Sequence, residues 1–165
     1  MPDSRPVIRP VDYDSPGDRR VLVELLDAYA ADPETGGGEA IAPDARERIA
    51  DGLRAHPTAL VLLAVDEGRV VGLAACFEGY STFAARPVLN LHDLVVAPKS
   101  RGRGVGAALL EAVEAHARGR GCAWITLEVL GANAGAQRLY RRCGFTGGDS
   151  VSPRSAAMFW KKKLD

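Results

Sequence analysis

The chain has no surplus of charge of either sign: Lys and Arg together number 21, as do Asp and Glu, and the formal net charge is zero. A nucleic-acid binder that relies on phosphate contacts needs a basic excess, so that class is set aside. Long apolar runs are absent too. The longest, Ala59–Val65, falls far short of the roughly 20 residues that cross a bilayer, so no membrane partner is expected. The first residues contain no apolar signal core and carry Asp3, Arg5, Asp12 and Asp14, which speaks against a secretory signal. Cysteine is scarce. Cys76, Cys122 and Cys143 are odd in number and unpatterned, which fits reduced thiols in a cytoplasmic protein better than a disulfide framework. Neither these cysteines nor His56, His92 and His116 fall at ligand spacing, so no metal is expected.

What is present suits one domain, 1–165, with enough chain to bury a sizeable core. Val7–Val11 reads as a short strand, and a helix follows over about Arg19–Ala31, with Val21, Leu22, Leu25, Leu26 and Tyr29 at helical spacing. Three consecutive glycines and a proline within Asp32–Glu39 break it. Pro43 opens a second helix to about Ala55. Leu60–Asp66 and Arg69–Phe77 form strands around the turn Glu67-Gly68, and Val88–Val96 is a fourth strand. A helix over about Gly104–Arg120, a strand over Ala123–Leu130, a short helix over about Gly135–Cys143, and strands near Phe145–Gly147 and Ala156–Lys161 complete the order.

The most informative stretch is Arg101-Gly102-Arg103-Gly104-Val105-Gly106, a glycine-rich turn between a buried strand and a helix start. A helix N-terminus carries unpaired N–H groups and partial positive charge, and glycines let an anion approach them. The Walker pattern is excluded because Ala107-Ala108 stand where Lys-Ser/Thr would be. The dinucleotide fingerprint is excluded because the glycines fall at a two-two spacing. A β-carbon at Gly104 or Gly106 would occupy the space a phosphate needs.

The remaining pattern, Arg-x-x-Gly-x-Gly, resembles the pyrophosphate loop of the GNAT superfamily of N-acetyltransferases, which use acetyl-CoA. Downstream, Asn133 follows the strand Leu127–Leu130, and Leu139-Tyr140-Arg141-Arg142-Cys143-Gly144-Phe145 is similar to the family's second signature, Leu-Tyr-x-x-x-Gly-Phe. The resemblance covers about a third of the chain, Val88 to Phe145, with its motifs in order. It implies an α/β fold: a mixed, mostly antiparallel twisted sheet of about seven strands flanked by about four helices, with the fourth and fifth strands splayed. It also implies acetyl-CoA bound along Leu94, Val95 and Val96, along Arg101, Gly102, Arg103, Gly104, Val105, Gly106 and Ala107, and at Asn133 and Tyr140. The Val95 N–H would polarise the thioester oxygen, and Tyr140 would act as general acid. A homodimer is the family habit.

Acetyl transfer to an amine also needs a base. His92 and Asp93 sit inside an otherwise apolar strand, where polar groups are costly unless paired or functional. Histidine titrates in a useful range, and Asp93 or Glu128 acting through water are alternatives. Strict alternation puts His92 and Asp93 on opposite faces, so they share a site only if the strand bulges. For the acceptor, the loop Asp32–Ala42 and the segment Glu78–Arg86 are candidates, with Glu34, Glu39, Glu78 and Asp93 as counter-charges and Tyr80 as a wall. The pattern from Tyr80 to Asp93 resembles diamine and thialysine-type acetyltransferases. The expected reaction is direct transfer to a small-molecule primary amine. Alternatives are an aminoglycoside or peptide N-terminus as acceptor, or a non-catalytic acyl-CoA sensor.

Overall fold

The computed structural model describes residues 5–147 and 157–165. Its elements are β1 (Val7–Pro10), α1 (Pro16–Ala31), α2 (Pro43–Ala55), β2 (Ala59–Asp66), β3 (Arg69–Ser81), β4 (Arg86–Val96), α3 (Val105–Gly119), β5 (Trp124–Leu130), α4 (Ala134–Arg142), β6 (Thr146–Gly147) and β7 (Ala157–Lys163). The strands form one sheet in the order β1-β2-β3-β4-β5-β7-β6. The β4–β5 pair is parallel and every other pair antiparallel. This is the mixed α/β architecture expected.

The boundaries differ from the sequence reading where local chemistry is stronger than hydrophobic spacing. Helix α1 starts three residues earlier, because Ser15 Oγ accepts the Asp18 N–H at 3.3 Å and Pro16 is pre-set for the first turn. The Asp18 carboxylate is itself buried, held by Arg9 at 2.6 and 2.9 Å and by the Asp12 N–H at 2.9 Å. The Arg9 hydrogen bond keeps its pKa below the usual carboxylate range. Strands β3 and β4 run further than expected, to Ser81 and from Arg86, because they pair along their whole length up to Ser81↔Arg86. The Glu67-Gly68 turn has positive φ at both residues, 48° and 75°, the conformation that matches strand twist in a two-residue hairpin. Ala156, expected to open the last strand, lies outside the described residues.

Strand alternation divides the core. Val61 and Leu63 of β2, with Leu73 and Ala75 of β3, pack beneath α1 and α2 against Leu22 and Leu26. Their neighbours Leu62, Ala64, Ala74 and Cys76 face α3 and meet Leu109 and Val113. Strand β4 breaks this rhythm. Leu89 and Leu91 belong to the α3 side, yet Val95, four residues on, lies on the α1–α2 side. The register supplies the cause: Ala75 is opposite Asp93 while Cys76 is opposite Leu91, so β4 carries one extra residue, His92.

Candidate functional site

The bulge has two consequences. It turns His92 and Asp93, adjacent in sequence, to the same face, where both line one cavity beneath α1 and α2. It also coincides with the end of β4–β5 pairing, which covers Leu89↔Ile125, Asn90↔Thr126 and Leu91↔Leu127 and goes no further. Beyond it, Leu94, Val95 and Val96 keep β3 as neighbour, and β5 pairs only with β7. A second cavity, of 530 Å³, opens beside this free end of β4, between α1, the turn before α3, and α4.

Leu94, Val95 and Val96 form one wall of that cavity, and the turn before α3 forms another. Gly104 is the N-cap of α3 at φ 80° and provides no side-chain cap. The first intrahelical bond is Ala108 N–H to Gly104 C=O at 3.0 Å, so the N–H groups of Val105, Gly106 and Ala107 precede the helical ladder. All three residues line the cavity, as do Gly102 and Gly104. A β-carbon on Gly104 would meet no protein atom within 4 Å. At Gly106 a β-carbon would come within 2.8 Å of Leu139 Cδ2 on α4, so that side chain would have to shift as well. An uncapped helix start and a row of glycines facing a roomy cavity fit a pyrophosphate.

Tyr140, buried and tilted against Phe145 at 5.8 Å between ring centres, lines the same cavity from α4. Burial, then the nearby Tyr29, Asp93 and Cys76, push its phenol far above the ordinary value, so it keeps its proton across the working pH range. Asn133 Oδ1 accepts the Ala136 N–H at 3.0 Å and so caps α4 while lining the cavity. Arg101 lines it as well, with Nε bonded to the Val96 carbonyl at 3.1 Å. Arg138 and Arg142 were missed by the sequence reading. They project one turn apart from α4 and bring further positive charge to this cavity.

The first cavity, of 380 Å³, is walled by Leu26, Ile41, Ile49, Leu53 and Phe77, with the half-buried Asp93 and the exposed His92 also lining it. Edge contacts hold Phe77 between His56, at 5.0 Å, and His92, at 5.6 Å. The Asp93 carboxylate has no hydrogen-bond or ion-pair partner among the described residues. Burial raises its pKa above the usual range, and the charge of His92 pulls it part of the way back. Tyr29 lines both cavities and so stands where they meet. As an apolar position at helical spacing it gave no signal beyond core packing.

Several expected site residues lie outside both cavities. Arg103 pairs with the buried Asp66 at 3.1 Å, a carboxylate that needs a counter-charge, and is drawn away from the loop's ligand side. Glu128 is exposed because alternation in β5 buries its neighbours Leu127 and Val129. Tyr80 is 64% exposed near the end of the long β3–β4 hairpin. Glu78 is neutralised by Arg120 at 2.8 and 3.0 Å. Glu39 is exposed, and the loop that bears it reaches the first cavity through Gly36 and Ile41 instead. Ile41 is fixed there by its N–H to Asp27 Oδ1 at 2.8 Å. Burial pushes the Cys76 thiol up to about 12, which removes it as an acyl-carrying nucleophile.

The chain is similar to known proteins. The sequence model of the Acetyltransferase (GNAT) family matches residues 22–145. Streptothricin acetyltransferase of Streptomyces lavendulae is 36% identical over 113 residues, which is 68% of this chain and 54% of that protein. Thialysine N-epsilon-acetyltransferase of Bos taurus is 36% identical over 75 residues, 46% of this chain and 44% of that protein. The chain thus spans about half the length of these relatives. Among solved structures, yncA of Salmonella typhimurium, determined with its cofactor acetyl-CoA, superposes at a TM-score of 0.74 with 22% identity, over 98% of this chain and 95% of that one. This last likeness is one of fold.

Proposed function

The chain belongs to the GNAT acetyltransferase family, and from that premise we propose that it is an acetyl-CoA-dependent N-acetyltransferase of small-molecule primary amines. The observation that carries this reading is the cavity beside the free end of β4, where a helix start without a side-chain cap, an unpaired strand edge and a buried tyrosine converge. Acetyl-CoA supplies a thioester whose acetyl group is ready for an amine nucleophile. The N–H groups ahead of α3 hold its pyrophosphate, Arg101, Arg138 and Arg142 add charge, and Asn133 steadies the pantetheine. The Val95 N–H bonds the thioester oxygen and stabilises the charge that grows there.

Asp93, with His92 beside it, receives the proton that the attacking ammonium must lose. As the new N–C bond forms and the C–S bond breaks, the Tyr140 hydroxyl gives its proton to the departing sulfur, and the nitrogen sheds its second proton to solvent, from which Tyr140 is reprotonated. The transfer is direct, since no thiolate is available to carry the acyl group. The thialysine and streptothricin relatives support a small-molecule amine as acceptor over a peptide N-terminus. We further propose one domain that works as a homodimer in the cytoplasm, where its three cysteines stay free. Release of thiol from acetyl-CoA, measured against polyamines, lysine analogues, aminoglycosides and peptides, tests the reading. Tight CoA binding with no thiol released by any amine would favour a sensor instead.

A further inference from the structure

The two cavities differ in what they can neutralise. The acceptor cavity is walled mainly by apolar side chains, the large ones being Leu26, Ile41, Ile49, Leu53 and Phe77, and only one carboxylate, Asp93, lines it. Three other acids are occupied or elsewhere. Glu78 is bound twice by Arg120, Asp27 is taken by the Ile41 N–H and by Arg46 at 3.3 Å, and Glu39 is exposed on its loop. An ammonium entering beside Asp93 finds its counter-charge, whereas a second one, further along the same molecule, would be pressed against aliphatic walls. Burying an ion without a partner is far costlier than burying a methyl group, which here gains from the burial. The volume, 380 Å³, exceeds the ~150 Å³ that accepts a benzene ring, so the body of an alkyl- or arylalkylamine fits within it.

We infer that the acceptor is an amine with a single cationic nitrogen on a compact apolar body, its ammonium against Asp93 and its body between α1, α2 and Phe77, and that linear diamines and polyamines are poor substrates. This rests on the acetyltransferase reading above and narrows it.

Hexylamine and hexamethylenediamine test the inference directly, since they differ by one terminal amine on the same chain. Thiol release from acetyl-CoA should give a kcat/KM at least about tenfold higher for hexylamine, and calorimetric titration of the CoA-bound protein should show the same order of affinity. Ile49→Glu places a second carboxylate in the apolar wall and should swing both measurements toward the diamine. Leu53→Glu serves the same purpose should the first variant fail to fold. Equal or better binding and turnover of the diamine by the parent protein would overturn the inference and leave the transferase reading standing. Preferential hexylamine binding without thiol release from either amine would do the reverse. Binding of neither amine would overturn the inference.

Discussion

The two cavities that meet at Tyr29 are built from different parts of the chain. The one beside the free end of β4 offers a ligand much main chain: N–H groups ahead of α3, a strand edge released from its partner, and glycines valuable for what they lack. The one beneath α1 and α2 is made of side chains from four elements, brought together by packing and by one extra residue in β4. A binding surface of backbone tolerates most side-chain changes and recognises an invariant ligand. A surface of side chains can be retuned one residue at a time, which suits the half of the reaction where specificity lies.

The sharpest exception to that division is Tyr140, the side chain in the main-chain cavity to which chemistry is assigned. Tyr140→Phe removes a hydroxyl and almost no volume. We expect kcat to fall by about 10²–10⁴-fold with CoA affinity unchanged. Because the phenol stays protonated well above neutrality, the parent enzyme should show no alkaline loss of kcat attributable to it. A kcat equal to the parent's under conditions where chemistry is rate-limiting would reduce Tyr140 to packing.

The second expected effect is in CoA affinity. Gly104→Ala adds a β-carbon that meets no protein atom and so projects into space the ligand needs. Loss of one charge-assisted hydrogen bond, roughly 1.5–3 kcal/mol, weakens CoA by about tenfold to a hundredfold. The left-handed backbone adds a folding cost of about 1–2 kcal/mol. Gly121→Ala is the control, since Gly121 has φ 71° and an equally open β-carbon position but lies outside both cavities. Equal CoA affinity in calorimetry for the Gly104 and Gly121 variants would show that the loop does not cradle the phosphate.

The same division explains what could be read in advance. The loop Arg101–Ala107, Asn133 and Tyr140 are local in sequence, and a ligand held by backbone requires particular residues at particular spacings. The succession of elements along the chain followed from similarly local signals, and the arrangement of the sheet from the family resemblance. The acceptor side did not yield in this way. Whether His92 and Asp93 share a face depends on how β4 registers against β3, which no spacing within β4 reveals. Glu78 looked available because Arg120, its partner, is 42 residues away. Tyr29 looked like core because its helical spacing is that of core. Arg138 and Arg142 sit beside the recognised Leu-Tyr pair, and their one-turn spacing was a usable signal.

Which residue of the acceptor cavity takes the proton is a smaller effect, read in pH. Asp93 is raised above the ordinary carboxylate range, and His92 lowers it from there. If Asp93 is the base, kcat/KM falls as pH drops through its elevated pKa, and Asp93→Asn removes that limb along with most of the rate. His92→Ala deletes the charge that holds Asp93 down, so the limb should move to higher pH. Disappearance of the limb in His92→Ala, with Asp93 intact, would assign the base to His92 instead.

The smallest effect concerns stability, and it separates the two cavities once more. Asp93 has a folded-state pKa above its unfolded value, with burial the largest cause. The folded protein therefore holds the Asp93 proton more tightly than the unfolded chain, and the parent loses stability as pH rises through the window between those two values. Above that window the full penalty of a half-buried carboxylate without a partner is present. Asp93→Asn removes it. The variant should melt at the same temperature as the parent at pH values below the ordinary carboxylate range and slightly above it at neutral pH. Tyr29, Tyr140 and Cys76 face the same carboxylate and remain protonated throughout, so they do not confuse the comparison. A Tm difference that is absent or independent of pH would mean that Asp93 is satisfied in the free protein. Its raised pKa, and its claim to be the proton acceptor, would then have no physical basis. A gain at neutral pH joined to a loss of activity would mean the acceptor cavity holds its charge at the expense of stability, because an incoming ammonium is what completes it.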